Sequence, residues 1–142
     1  MVNSLLVDSG AWYALADTSD RHHEQAKTFM AKEGSQHRLV TTNAVMWESW
    51  ALLNKRLGRE SAMLYWQQVR ESGISVMVLD ERDEEAAWHI AKAYPDQDFS
   101  LVDLTSFAVM ERLGISMVWT FDAHFLAYRY GPRRDRAFAC LP

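Results

Sequence analysis

A single cysteine, Cys140, stands in 142 residues, so no internal disulfide can form, and no Cys/His cluster has the spacing of a zinc site. Nothing marks an oxidising compartment, and the chain reads as cytoplasmic. No apolar run approaches the ~18 residues of a membrane span, and the opening MVNSLLVDSG lacks a basic stretch followed by a long apolar one. A soluble, unprocessed chain is the expectation. Positive charge is also short: 15 Lys and Arg against 19 Asp and Glu leave a net charge of −4. That balance excludes a protein that coats nucleic acid through bulk positive potential, because such binding depends on Lys and Arg displacing counterions. A nucleic-acid partner must instead be met locally, and clustered carboxylates can do this once divalent cations invert their charge.

The length suits one ordinary domain over residues 1–142. Residues 2–7 form a short apolar run that ends in Asp8 and leads into a helix-like stretch at 11–16, a buried strand feeding a helix. Asp20 can cap a second helix that Gly34 stops, and residues 38–41 are a short strand candidate. A third helix runs from Asn43 to Leu57, with Thr42 or Asn43 as cap and Gly58 as terminator. Residues 60–71 make a fourth helix and 74–79 a strand; Asp80 with Asp83 or Glu84 caps a helix that reaches about 94, before Pro95. Ser100 opens a helix with almost no polar face, expected to be buried, and Gly114 ends it. A strand at 115–120, a helix at 122–130 and a last strand at 137–141 complete the chain.

Strands alternating with helices predict an α/β fold, a parallel sheet covered on both faces. Ligands of such sheets bind beyond the carboxyl ends of the strands. Asp8 follows the first strand and Asp122 follows the 115–120 strand after Phe121 alone. Each also reads as a helix N-cap. Asp103 lies in the first turn after Ser100, where Ser-Leu-Val-Asp resembles a capping box. Its apolar surroundings demand a cation or several hydrogen bonds. Glu48 stacks over Ala44 or Val45 and under Ala51 and Leu52, too deep in its helix to cap it; a salt bridge or an edge position would also account for it. Together the four make an oxygen-only set of the kind Mg²⁺ and Mn²⁺ prefer. Such ions activate water and orient a scissile phosphate, so no protein nucleophile is required.

The segments VDSGAWYALADTSDRHHEQA, TTNAVMWES, FSLVDLTSFAVMERLGI and VWTFDAHF, in that order and spacing, resemble a PIN-domain ribonuclease of the VapC toxin type over essentially the whole length. The resemblance implies a sheet of about five parallel strands flanked by helices on both faces, an endoribonuclease with Mg²⁺ or Mn²⁺, and RNA as substrate. It maps the acidic quartet onto Asp8, Glu48, Asp103 and Asp122, and implies a homodimer and a small antitoxin partner. Thr120 and Ser9 flank two acids and can bond to them, Thr120 ranking first, or form turns. Asn43 can orient RNA or cap its helix. His124 can meet substrate phosphate or simply pack, and His22 and His23 are expected on a helix surface. Arg129, Arg133, Arg134 and Arg136 form the basic cluster, either an RNA-backbone grip or a solvated turn. Most of the six Trp are expected in the core.

Two competing readings remain. A receiver-like signalling module also places Mg²⁺ in an acidic α/β pocket, but it wants paired acids after the first strand and a Lys after the last. Here Ser9 and Gly10 follow Asp8, and residues 138–142 contain no Lys. A non-catalytic PIN-like binding domain is the other, and the presence of all four acids gives it no support.

Overall fold

The backbone of Leu5, Leu6 and Val7 is fully enclosed, and their side chains leave it on opposite sides. Leu5 and Val7 join one apolar cluster with Ala11, Trp12, Val45, Leu53, Tyr65 and Trp119. Leu6 joins another with Val40, Ile90, Phe107, Val118 and Phe125. The period-two alternation of a strand thus feeds two cores, each such side chain contributing about 1.5–3 kcal/mol by burial.

The computed structural model describes residues 2–141. In chain order they form β1 (Asn3–Val7), α1 (Ser9–Ala16), α2 (His23–Glu33), β2 (His37–Thr42), α3 (Asn43–Leu57), α4 (Arg59–Glu71), β3 (Ser75–Met77), α5 (Glu81–Ala93), α6 (Leu101–Leu113), β4 (Met117–Trp119), α7 (His124–Ala127) and β5 (Ala139–Leu141). The strands make one sheet in the order β3-β2-β1-β4-β5, every pairing parallel. Helices α1 to α4 supply the first cluster and α5 to α7 the second, so both faces are covered as expected. The chain winds outward from β1 through β2 to β3 and returns to the other side of β1 with β4. Strand order therefore reverses between β1 and β4, and the crevice beyond their carboxyl ends is where this class binds ligands.

Several boundaries moved for identifiable reasons. The stretch at 122–130 yields only a four-residue helix. Arg129 N–H donates to the Tyr94 hydroxyl, and Tyr130 pairs with Arg136, which pulls the chain out of helical register. The same loop delays β5 to Ala139. Asp20 caps no helix directly: its Oδ2 accepts from His22 N–H in the turn before α2. Helix α6 is buried from Asp103 to Met110, but its apolar ends surface, Leu101 at 71% exposure. The tryptophans depart furthest from expectation. Trp12 and Trp119 are core, whereas Trp47, Trp66 and Trp88 are exposed, because helical spacing alone does not say whether an apolar stripe finds a partner. No helix among the described residues is long and apolar enough to cross a membrane.

Candidate active site

Asp8 stands directly after β1 in the N-cap position of α1, yet its side chain makes no cap bond. Instead it accepts a hydrogen bond from the Thr120 hydroxyl, 2.8 Å away and 112 residues later in the chain. Pairing of Val7 with Trp119 in the parallel register brings these two strand ends side by side. Asp8 is 4% exposed, and burial pushes its carboxyl up to about 7. The Thr120 hydroxyl and Ser9 backbone N–H work against that rise, and the charges of Asp103 and Asp122 add to it. A buried carboxylate beside two others favours the neutral form unless a cation arrives.

Asp103 completes the capping box read from its sequence and also meets a ring nitrogen from α7. Ser100 Oγ accepts from Asp103 N–H and Asp103 Oδ2 accepts from Ser100 N–H, each at 3.1 Å, a complete capping box. The same Oδ2 lies 2.7 Å from His124 Nδ1. Asp122 likewise accepts from the His124 backbone N–H at 2.9 Å while its Oδ1 is 3.4 Å from the His124 ring. Thr120 Oγ1 accepts from Asp122 N–H, so one hydroxyl serves two acids. Asp103, Asp122 and His124 present ligand atoms that all lie within 4.8 Å of one another, a group able to hold a metal ion. Burial opposes charging the His124 imidazole, but the hydrogen bond to Asp103 and the charges of Asp122, Asp103 and Asp98 outweigh it and raise its affinity for a proton.

Glu48 lies outside that tight group. Ser9 Oγ donates to its Oε1 at 2.5 Å, tying α3 to the residue after Asp8. Glu48 also borders a cavity of about 800 Å³ between α3 and α6, whose walls include Trp47 and Leu101. Thr42, not Asn43, caps α3 by accepting from Val45 N–H; the Asn43 carboxamide oxygen accepts from Ala44 and Leu79 N–H.

The model of the PIN-domain family matches residues 5–129. The chain belongs to the PIN-domain family. VapC20 of Mycobacterium tuberculosis, a 23S rRNA-specific endonuclease, is 33% identical over 123 residues, which cover 87% of this chain and 92% of that protein. The crystal structure of that VapC20, described as a toxin that cleaves the sarcin-ricin loop, matches at TM-score 0.80 over 87% of this chain and 93% of its own. A chain of a Klebsiella pneumoniae toxin-antitoxin complex shares the fold alone, at 15% identity and TM-score 0.60, covering 84% of this chain and 87% of that one. The chain is thus a PIN-domain homologue of the VapC20 endoribonuclease toxin.

In this PIN domain the fold brings Asp8, Asp103, Asp122, His124 and Thr120 into one hydrogen-bonded network, with Ser9 and Glu48 beside it. Arg133 and Arg134 stand apart. Their loop is fastened to Glu111 through the Tyr128 hydroxyl and Gly131 N–H, eight residues beyond Asp103 and about 12 Å along α6. Other side chains line the site instead. A cavity of about 410 Å³ bounded by Asp8, Ser9 and Asp122 is also lined by Arg21, His22 and Arg56; His22, expected on a helix surface, instead stands at the N-cap of α2 on the cavity wall, and the linear sequence does not single out the two arginines. One signal was available: Glu48, Leu52 and Arg56 repeat every four residues on one helix face, and the latter two line that cavity.

Proposed function

We propose that this PIN domain, taking the whole chain as one catalytic unit, hydrolyses RNA phosphodiester bonds with Mg²⁺ or Mn²⁺, and is the toxin of a toxin-antitoxin pair. Asp8, Asp103 and Asp122 would hold the metal, with Glu48 completing the acidic set. The observation that carries this reading is Asp8: buried, flanked by two acids, and without a Lys or Arg partner among the described residues. The donor set is carboxylate oxygen, which suits hard divalent cations. When bound, the ion supplies charge neutralisation and Lewis-acid chemistry at the phosphate.

The protein's own part is placement. Thr120 fixes the Asp8 carboxyl and the Asp122 backbone with one hydroxyl. Ser9 restrains Glu48, and the capping box holds Asp103 at the head of α6. His124 braces Asp103 through Nδ1. Buried, pre-positioned acids need no rearrangement when substrate arrives, which is where such sites gain their rate. VapC20 acts on 23S rRNA, and a structured rRNA loop is the substrate class we infer here too. A small antitoxin and a second copy are the inferred protein partners, for which exposed Trp47 and Leu101 offer apolar surface.

The test is cleavage of single-stranded and hairpin RNA by the purified chain in Mg²⁺ or Mn²⁺. Asp8→Asn and Asp103→Asn should each lower the rate about 10³-fold or more, on the scale of losing one electrostatic group, and EDTA should abolish it. Cleavage that persists in EDTA, or in both variants, would sink the mechanism.

A further inference from the structure

The cavity beside Asp8 and Asp122 has a second, cationic half. Between α1 and α2, Asp17 Oδ1 accepts from Ser19 N–H and Oγ, and Asp20 Oδ2 accepts from His22 N–H. These Asx turns fold residues 17–22 into a strap, which His23 Nδ1 secures from behind, 2.7 Å from Ala14 O. The strap sets Arg21 and His22 on the cavity wall. His22 lies flat on Phe121, ring centroids 4.2 Å apart and planes 4° from parallel. Arg21 Nε donates to His22 Nε2 at 3.1 Å.

From the other side, α3 lays the Arg56 guanidinium 5.1 Å over the Tyr13 ring. Tyr13 is buried and donates through its hydroxyl to Asp17, so Arg56 rests on an immobile plate. Among the described residues, neither Arg21 nor Arg56 has a carboxylate within 4 Å. Two guanidiniums without a carboxylate partner and a stacked aromatic pair therefore share one polar cavity with three carboxylates, Asp8 and Asp122 at its acidic end and Asp20 in the strap, where it accepts from His22 N–H.

We infer that this half is a nucleotide subsite next to the scissile phosphate: Arg56 and Arg21 hold the adjoining phosphate, and a base extends the His22–Phe121 stack. Acids alone would repel the strand on either side of the cut, and guanidiniums reverse that repulsion where the chain continues. A plate reached by a single base selects single-stranded or looped RNA, because duplex bases keep their faces covered. Phe121 sits between Thr120 and Asp122, so the stacked base and the acidic cluster are held in fixed relation. The inference rests on the ribonuclease reading but is tested separately from it.

A fluorescein-labelled single-stranded oligoribonucleotide serves as probe, in two assays on the full chain. Steady-state cleavage in Mg²⁺ reads KM and kcat; anisotropy on an Asp8→Asn background in EDTA reads Kd without cleavage. Arg56→Gln should raise KM and Kd about 10-fold, leave kcat within about 3-fold, and flatten the slope of log Kd against log salt by about 0.7. His22→Ala should weaken binding about 10-fold, and His22→Phe should restore it. Lys92→Gln, the same charge change on α5, should bind as the parent does.

Unchanged Kd and salt slope in both Arg56→Gln and His22→Ala would overturn the subsite, as would a parent that binds no oligonucleotide. A His22→Phe protein as weak as His22→Ala would remove the stacking half of the inference. Failure of the parent to cleave any RNA would instead strike the ribonuclease reading, with the binding result still standing on its own.

Discussion

Asp83 and Asp8 are both buried carboxylates at the head of a helix, 1% and 4% exposed, and the protein treats them in opposite ways. Asp83 closes the capping box of α5 with Asp80 and receives both arms of Arg112: Nε to Oδ1 at 2.7 Å and Nη2 to Oδ2 at 3.0 Å. The pair ties α5 to α6, and every oxygen is satisfied. Asp8 receives a neutral hydroxyl and two acidic neighbours. A carboxylate that serves the fold arrives with its cation in the sequence. One that is left to repel its neighbours at a strand end suits a cation from solution, the role proposed above for Asp8, and the predictions below test that contrast.

Removing each carboxylate should therefore move stability in opposite directions. Asp83→Asn leaves Arg112 facing a weakened partner and should cost about 3–5 kcal/mol, measured by urea unfolding, with the rate per folded molecule unchanged. Asp8→Asn in EDTA at pH 8 should raise stability by about 1–2 kcal/mol as an ionised, desolvated group disappears. Loss of stability in both variants would erase the distinction.

The pH dependence sharpens it further. The Asp8 carboxyl is raised from 3.8 to about 7 in the fold, so the folded state holds its proton more tightly than the unfolded chain. Its contribution is complete below pH 3.8 and is lost as pH rises through about 7, up to about 4 kcal/mol without metal. Chemical denaturation in EDTA from pH 4 to 8 should show this decline, and the Asp8→Asn protein should lack it. Next in size is the metal itself. Mg²⁺ at 100 times its Kd should add about 2.7 kcal/mol, in the parent and in Asp83→Asn alike, and markedly less in Asp8→Asn; melting curves with and without Mg²⁺ decide this. The smallest effect belongs to Thr120→Val, which removes the donor to Asp8 and the acceptor for Asp122 N–H. A cost of about 1–2 kcal/mol is expected, with the pH decline displaced upward because the Thr120 bond lowers the Asp8 pKa.

Much of this was written locally. The helix Asn43–Leu57 runs between the bounds its caps announce, and the strand ends that carry Asp8 and Asp122 follow from short apolar runs closed by an acid. For Asp103, capping its helix does not prevent the same oxygen from meeting His124, so the cap reading holds without excluding the other. The tryptophans misled, because a large apolar residue on a helix announces a surface that wants cover without saying what covers it. His124 was read as a packing or phosphate-contacting residue, and its bond to Asp103 came only from the way α7 sits over the head of α6. Arg21 and His22 were hidden for a related reason: turn chemistry in DTSDRHH was legible, but the direction in which the strap points was not.

The sequence by itself determined the α/β order, the helix caps and the acids placed at strand ends, because propensity, capping and apolar periodicity act within about ten residues. The tertiary structure decided partnership. Parallel pairing of β1 with β4 sets Thr120 beside Asp8, and the packing of α5 on α6 gives Asp83 its arginine, while among the described residues Asp8 receives none. Side chains more than 100 residues apart meet only when strand order and register are settled for the whole sheet, a cooperative outcome that no single segment encodes.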